Sequence, residues 1–284
     1  MLWEAPENDA SLPLATCRQQ PAELPPTACM TTELKTERRD RTLVMTLSGP
    51  ATRNALSPQV YAAGIETLNM AEANPEVGAV VLTGEGDHFC AGGDLQRLSH
   101  NRTHDLQTQG ANLDAFHQWI EALRSFPKPV VAAVEGVAAG GGVSLALACD
   151  LIVASESARF VMAYSKVALS PDGGASWHLA HALGRGKAME LLWLGEQQSA
   201  QQWQALGLVH RLAPAGSTLE HAVALAEQLS QVAPGVLASV KELINDADRP
   251  LRTHLDAEKQ HFLTNLVRPE AGQAIDQFLT GKRR

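Results

Sequence analysis

Cysteine is scarce in this sequence. The 284 residues include four cysteines, Cys17, Cys29, Cys90 and Cys149. No two of them form a Cys-x-x-Cys pair, and His88 near Cys90 has no second pair of ligands that would complete a zinc site. We therefore predict reduced thiols in a cytoplasmic protein, and no metal site. Cys90 and Cys149 are interpreted as core residues, because free cysteine is among the most buried residue types.

A basic excess and a long apolar run are missing as well. The chain has 23 lysine and arginine residues against 31 aspartate and glutamate residues, a formal net charge of −8. This balance argues against a nucleic-acid partner or an anionic membrane surface, although it allows a local basic pocket for a phosphorylated ligand. The longest apolar stretch, residues 129–154, is rich in glycine and contains Glu135 and Asp150, so it is a poor membrane span. The N-terminus has neither the basic start nor the apolar run of a signal peptide.

Apolar residues are plentiful enough for a large buried core, since they make up 45% of the chain. Residues 1–29 differ from the rest. They hold five prolines and two of the four cysteines, and they show neither a helical nor a strand period. We predict a flexible extension there.

Strands and helices alternate beyond residue 42. Ser57 is a typical N-cap with Pro58 at the first helical position, and Val60, Gly64 and Leu68 continue at helical spacing. Short apolar strands separated by helices predict an α/β fold whose mostly parallel sheet is covered on both faces. The predicted strands cover residues 42–48, 77–84, 129–136 and 150–155.

The pattern after residue 175 is helical. Apolar stripes such as Leu255, Phe262 and Leu266 are more than one small domain should leave exposed, and they predict a trimer or a hexamer. The predicted helices cover residues 176–183, 186–194, 199–206, 218–231, 235–247, 251–266 and 269–280.

Three consecutive glycines occur in the stretch GVAAGGGVSLALACD, residues 136–150. They do not extend to the Gly-x-Gly-x-x-Gly motif of dinucleotide-binding proteins, because Leu145 occupies the last position. A nucleophile elbow around Ser144 needs a strand that ends immediately before the serine, and the predicted strand ends well before it.

The glycine triplet stands where a helix of small residues begins. The first N–H groups of a helix have no partner within it and point outward with the positive end of the helix dipole. Glycines at this point either let a ligand oxyanion approach the backbone or only permit close packing of the helix on the sheet. A second stretch, DHFCAGGDL at 87–95, also places small residues between a strand and a helix. Two such loops at the carboxyl ends of parallel strands could together supply two donors for an acyl oxyanion.

These stretches resemble the crotonase family, also called the enoyl-CoA hydratase/isomerase family. The resemblance rests on HFCAGGDL, on VEGVAAGGGVSLALACDLIVAS, on TRNALS and on ALGRGKAMELLWLGEQQSAQQWQALGLVHRL, and it covers about residues 34–282. It implies a spiral of ββα units with a helical C-terminal trimerisation region, and a homotrimer or dimer of trimers. The core with the CoA and acyl site would span residues 30–220, and the helical C-terminal region residues 221–284. The substrate would be an acyl-CoA, with no cofactor beyond its coenzyme A.

The resemblance also implies roles for individual residues. The backbone N–H groups of Gly93 and Gly141 would hold the thioester oxygen as an enolate forms, and Arg53 would lie near a phosphate of CoA. The substrate-binding and CoA-binding positions that it implies are Arg53, Asn54, Ala55, Leu56, Ala91, Gly92, Gly93, Asp94, Leu95, Gly140, Gly141, Ala163 and Val167.

The sequence departs from the hydratases of this family at both catalytic glutamates. The matching positions hold Ser144 and Tyr164, neither of which can serve as a carboxylate base at pH 7. Asp172 follows in SPDGG, a loop in which some isomerases of the family place a single acidic base. The same residues also fit a type I turn with Pro171 second and Gly173 fourth. The segment AYSKVALSPDGGASW resembles members linked to aromatic degradation through phenylacetyl-CoA intermediates.

Three functions are compatible with these residues. The leading prediction is isomerisation of an enoyl-CoA double bond, with Asp172 as the base and the two glycine N–H groups as donors. The alternative is an enoyl-CoA hydratase, or a hydrolase or ring-opening enzyme on a CoA thioester with Ser144 or Tyr164 assisting. A non-catalytic CoA-binding scaffold is the third. Glu135 is interpreted as structural, and no histidine is assigned a role.

Overall fold

The structure is a computed structural model that describes residues 31–281, so the predicted extension at 1–29 lies outside the described residues. The strands are β1 (Glu33–Arg39), β2 (Thr42–Ser48), β3 (Ala79–Gly84), β4 (His88–Cys90), β5 (Val130–Val134), β6 (Val137–Ala139), β7 (Leu151–Ser155), β8 (Arg159–Val161), β9 (Gln197–Ser199) and β10 (Arg211–Ala213). The helices are α1 (Pro58–Ala73), α2 (Leu95–His104), α3 (Leu106–Ser125), α4 (Gly141–Ala148), α5 (Ala175–Leu194), α6 (Ala200–Ala205), α7 (Thr218–Ser230), α8 (Pro234–Asn245), α9 (Leu251–Leu266) and α10 (Pro269–Leu279).

The larger of two sheets has the strand order β1-β2-β3-β5-β7-β10. Only the β1–β2 pair is antiparallel in this sheet, and all later pairs are parallel. Its central strands are almost entirely apolar because both faces are buried: Val80 and Leu82 of β3 enter one core cluster, while Val81 enters a second cluster closed by α7. The predicted parallel sheet with two covered faces is confirmed.

Three ββα turns build the spiral that the resemblance implies. In each turn the first strand joins the larger sheet, the second joins a smaller sheet, and a helix follows; the turns are β3-β4-α2, β5-β6-α4 and β7-β8-α5. The smaller sheet has the order β4-β6-β8-β9, and β4, β6 and β8 run parallel. Its strands are three residues long, which is too short for a strand pattern to be recognised in the sequence.

Helix α1 begins as predicted. The Ser57 side chain accepts a hydrogen bond from the backbone N–H of Val60, and Pro58 is the first helical residue. Gly64 lies on the buried face, where a Cβ would overlap the indole of Trp119 on α3. The predicted spacing of small and apolar residues therefore marks the face on which α3 packs.

The predicted helices beyond residue 175 are all present, but the structure differs from the predicted helical pattern in two respects. The short strands β9 and β10 pair with β8 and β7 and extend the two sheets. The predicted helices at 176–183 and 186–194 form one element, α5, which is kinked where Gly184 adopts a φ of 73°. A left-handed residue cannot continue the α-helix, and this explains the gap in the sequence pattern.

The C-terminal helices contribute little to the core. No residue of α8, α9 or α10 is buried, and large apolar side chains such as Phe262, 67% exposed, and Phe278, 89% exposed, face outward. Lys241 attaches α8 to the core by donating to the Leu123 carbonyl oxygen and to the Asp150 carboxylate. The predicted boundary between residues 220 and 221 falls inside α7, and α7 packs against the larger sheet.

The two described cysteines are core residues, as predicted. Cys90 and Cys149 are buried and free, and burial raises the pKa of the Cys90 thiol to about 12. Within residues 31–281, no group of three or more His, Cys, Asp or Glu side chains could hold a metal ion. Over the same range, no helix is both long enough and apolar enough to cross a membrane.

Gly142→Ala tests the contact between α4 and β4. A Cβ at this position would overlap the Cys90 carbonyl oxygen and lie 2.8 Å from the Cys90 Cβ, so we expect a loss of about 1–3 kcal/mol of stability. Gly110→Ala is the matched control, because a Cβ there meets nothing within 4 Å inside α3, and it should gain about 0.5–1 kcal/mol. Urea unfolding of both variants at one protein concentration measures the difference. Equal effects of the two substitutions would contradict the described packing.

Candidate active site

Two glycine loops meet because the strands before them are neighbours. β4 and β6 run parallel with Cys90 opposite Ala138, so the chain leaves both strands at the same edge of the smaller sheet. The two loops follow parallel strands of one sheet, as predicted, but that sheet is the smaller one. The larger-sheet strands β3 and β5 are each followed by a short strand of the second sheet, and the loops follow those short strands.

Two of the glycines are required for close packing. Gly92 has a φ of 87°, and a Cβ on it would lie 2.6 Å from the Ala139 carbonyl oxygen and 3.0 Å from the Gly141 nitrogen. Gly142 packs against Cys90 in the same way. Close packing therefore explains Gly92 and Gly142, and it brings one loop directly against the backbone nitrogen of the other.

The remaining pair, Gly93 and Gly141, keeps its N–H groups available. Among the hydrogen bonds of the described residues, neither N–H is a donor. Gly141 is the first residue of α4, where N–H groups have no partner inside the helix. A Cβ at Gly93 would meet only Leu98 Cδ1, at 3.5 Å. The geometry is compatible with the predicted oxyanion donors, whose role stays a prediction.

The loop at 53–56 lies along the first glycine loop. Ala91 N donates to the Arg53 carbonyl oxygen at 3.0 Å, and Leu56 N donates to the Gly92 carbonyl oxygen at 2.8 Å. Arg53 and Asn54 both have a left-handed backbone, with φ values of 55° and 57°. Arg53 is exposed, as a residue that contacts a phosphate must be, whereas Leu56 is buried against Gly141.

Asn54 and Asp94 use their side chains within the protein. The Asn54 Oδ1 accepts from Gly49 N, and its Nδ2 donates to the carbonyl oxygens of Glu85 and His88 at 3.0 and 2.7 Å. Asp94 caps α2 by accepting from Gln96 N at 2.8 Å. Both side chains hold loops in shape. Two of the other predicted binding positions, Leu95 and Val167, are exposed. The remaining positions are half-buried: Ala55, Ala91, Gly140 and Ala163.

Asp172 reaches the same place from the loop before α5. Its Oδ1 lies 3.6 Å from the position that a Cβ on Gly141 would occupy. Burial raises the pKa of Asp172 above its usual range, while the Tyr164 hydroxyl and the charge of His117 act in the opposite direction. A carboxylate with a raised pKa beside an N–H donor is a typical arrangement for proton transfer.

The predicted type I turn at 170–173 is displaced. The turn hydrogen bond runs from Ala175 N to the Asp172 carbonyl oxygen, so the turn spans 172–175. Gly173 and Gly174 occupy its centre with φ values of 56° and 78°, and Gly173 has no room for a Cβ against Phe116. Two adjacent left-handed residues are typical of a type I′ turn, and glycine adopts this conformation without strain. Pro171 lies before the turn and is not part of it.

Ser144 and Tyr164 lie next to Asp172. The Tyr164 Oη donates to Asp172 Oδ1 at 2.6 Å, and the Ser144 Oγ donates to the Asp172 carbonyl oxygen at 2.9 Å. Burial, with the adjacent Asp172 charge, raises the pKa of Tyr164 and keeps its phenol protonated. The two residues at the positions of the hydratase glutamates are therefore hydrogen-bond donors to the third.

Residues 37–282 match the sequence profile of the enoyl-CoA hydratase/isomerase family. The chain belongs to this family. It is 36% identical to 1,2-epoxyphenylacetyl-CoA isomerase of Escherichia coli over 77% of this chain and 84% of that protein. It is 33% identical to 2,3-dehydroadipyl-CoA hydratase of the same bacterium over 87% of this chain and 95% of that protein.

Solved structures agree with the sequence comparisons. The crystal structure of an enoyl-CoA hydratase from Polaromonas sp. JS666 superposes with a TM-score of 0.86 at 53% identity, covering 88% of this chain and 97% of that one. The predicted crotonase fold is confirmed. This chain is an enzyme of the enoyl-CoA hydratase/isomerase type that acts on an acyl-CoA. That no metal or further cofactor takes part stays a prediction.

In this crotonase, α3 contributes residues that sequence reasoning missed. Phe116 lies against Gly173 and 3.6 Å from the Cβ position of Gly141, and the charge of His117 acts on Asp172. The helical spacing of Phe116 and Trp119 indicates a buried face, but no pattern shows that the face ends at the loop of Asp172. Glu135 is structural, as predicted, since it accepts hydrogen bonds from Gly216 N and the Thr218 hydroxyl.

Proposed function

We propose that this enzyme isomerises the double bond of an enoyl-CoA, with Asp172 as the base and the Gly93 and Gly141 N–H groups as oxyanion donors. The observation that carries the proposal is the position of Asp172, whose carboxylate lies beside Gly141 in a partly buried loop. Among the three polar residues that meet there, it is the only one that can accept a proton at neutral pH.

The reaction needs one base and an electron sink. Asp172 removes a proton from the α carbon of a 3-enoyl thioester, and the electron pair of that C–H bond moves into a dienolate. The thioester oxygen gains the charge, and two backbone N–H groups stabilise it. The Asp172 carboxyl then returns the proton to the γ carbon, the double bond moves to the α,β position, and the carboxylate is regenerated.

The residues at positions 144 and 164 favour isomerisation over hydration. Adding water across a double bond by the two-glutamate route needs carboxylates that activate the water and protonate the α carbon. Ser144 and Tyr164 are buried, and both point their hydrogens toward Asp172. The name of the relative that is 36% identical, 1,2-epoxyphenylacetyl-CoA isomerase, supports an isomerase, and it supports an aromatic or cyclic acyl group in the substrate. Hydration is the alternative, and the relative named 2,3-dehydroadipyl-CoA hydratase supports it.

We further propose that the enzyme assembles as a trimer or a dimer of trimers. The support is the row of exposed apolar side chains on α9 and α10, where Leu255 and Leu266 are each 44% exposed and Phe262 is 67% exposed. A second copy that covers these helices would bury this surface.

Asp172→Asn should abolish isomerisation of a 3-enoyl-CoA and leave CoA-ester binding within a few-fold, because the amide keeps the size but cannot take a proton. In the wild type, kcat/KM should fall as the pH drops through the pKa of Asp172, which burial has raised, because only the ionised form is active. Absorbance assays measure turnover and calorimetry measures binding. Ser144→Ala should cost much less. Wild-type turnover in Asp172→Asn, with loss in Ser144→Ala, would support the hydrolase hypothesis instead.

Gly93→Pro should lower turnover at least about tenfold, because it removes an oxyanion donor worth about 3 kcal/mol in the transition state. Gly93→Ala is the matched control. It keeps the N–H, and its Cβ meets only Leu98 at 3.5 Å, so its cost should be much smaller. Circular dichroism checks that both variants fold. Equal turnover of the two variants would show that Gly93 is not an oxyanion donor.

Multi-angle light scattering should give the mass of a trimer or a hexamer at micromolar concentration, because the apolar faces of α9 and α10 are not covered within one chain. Phe262→Lys should shift the mass toward the monomer. Lys187→Ala, at a partly exposed position of α5 away from α9 and α10 in the sequence, is the control and should not. A monomer of the unmodified chain at this concentration would contradict the proposed assembly.

A further inference from the structure

Four polar contacts join Ser144, Tyr164 and Asp172. The Ser144 Oγ lies 2.9 Å from the Tyr164 Oη and 2.9 Å from the Asp172 carbonyl oxygen. The Tyr164 Oη lies 2.6 Å from Asp172 Oδ1 and 3.5 Å from the Asp172 carbonyl oxygen. Ser144 is fully buried and Tyr164 is 7% exposed. The hydroxyls therefore have little access to water, and their hydrogens must be used within this cluster.

The two hydroxyls bring two hydrogens to these four contacts. The Asp172 carbonyl oxygen and the ionised carboxylate can only accept. The Ser144 hydrogen goes to the carbonyl oxygen, and the single Tyr164 hydrogen goes to Oδ1, because this is its shortest contact and a charged oxygen is the strongest acceptor within reach. Among the side chains of residues 31–281, only Tyr164 donates to this carboxylate, and it donates to Oδ1, so Oδ2 is the oxygen available to take a proton.

We propose that Tyr164 is a positioning residue for the base: its hydroxyl holds Oδ1 of Asp172, which leaves Oδ2 facing the substrate. This inference rests on the proposed isomerisation with Asp172 as the base. Oδ2 takes the α proton and later returns it to the γ carbon. Tyr164 keeps its own hydrogen throughout, so it donates to the ionised and to the protonated carboxyl.

Other groups also face Asp172. His117 on α3 acts on it electrostatically, and Asp172 and Arg97 act on Tyr61 of α1. Tyr61 packs on Phe116 and Trp119, and its hydroxyl makes no hydrogen bond to any described residue. Removing the Tyr61 hydroxyl is therefore a control for removing the Tyr164 hydroxyl, because Tyr61 lies nearby but makes no hydrogen bond to the Asp172 carboxylate.

Tyr164→Phe is the first test. It removes a donor to the ionised carboxylate, so the acid limb of the kcat/KM profile for a 3-enoyl-CoA should move up by about one pH unit. Turnover should fall about tenfold or more while KM stays within a few-fold, because the carboxylate loses its orientation. Tyr61→Phe is the matched control and should leave the limb in place, because the Tyr61 hydroxyl does not donate to the carboxylate.

Fluorotyrosine provides a second test that keeps the hydroxyl and the packing. The chain has two tyrosines, so incorporation in the Tyr61→Phe background labels Tyr164 alone. A more acidic phenol donates a stronger hydrogen bond, and the acid limb should move down, opposite to Tyr164→Phe. This test also decides the question if Tyr164→Phe does not fold.

The outcomes separate the two proposals. If Asp172→Asn is inactive but neither tyrosine change moves the acid limb, Tyr164 does not position the base, and the proposed function stands. If Asp172→Asn keeps wild-type turnover, both proposals are wrong. Shifts of the acid limb in opposite directions, with Tyr61→Phe unchanged, confirm the positioning role.

Discussion

The site depends on one backbone contact, where the Gly92 loop touches the Gly141 nitrogen. A Cβ on Gly92 would come within 3.0 Å of that nitrogen, so the two loops can approach only because position 92 has no side chain. The contact in turn depends on β4 and β6 being parallel neighbours. Everything that surrounds it, including the loop at 53–56 and the start of α4, is fixed relative to this point.

Around this contact, the protein keeps one carboxylate in a place that disfavours charge. Asp172 loses solvation, and a single phenol hydrogen offsets part of that loss. The balance suits a base that must release a proton as readily as it takes one, because a strongly stabilised carboxylate would not take the proton and an unpartnered buried one would not ionise. Hydroxyls at positions 144 and 164 provide this environment without adding a second charge.

The sequence predicted the large features because they produce strong patterns. The strands β3 and β5 are buried on two faces, so each is a continuous apolar run in the sequence. The cap at Ser57 is a hydrogen bond to a residue three positions later, so it could also be predicted from the local sequence alone. The strands β4, β6 and β9 have three residues each, and their pairing is decided by tertiary contacts that leave no period. The turn at Asp172 was displaced because two glycines outweigh the preference of Pro171. Nothing in the sequence indicated that α3 packs beside the Asp172 loop.

The hydrogen bonds between the loop at 53–56 and the first glycine loop have a kinetic meaning. Arg53 and Leu56 are held to Ala91 and Gly92, one residue before the proposed donor Gly93. The family resemblance assigns the loop at 53–56 to the nucleotide end of CoA, and the proposed function assigns Gly93 to the thioester oxygen. With these assignments, backbone hydrogen bonds connect the two ends of the binding site, and we expect a shortened substrate to lose rate as well as affinity.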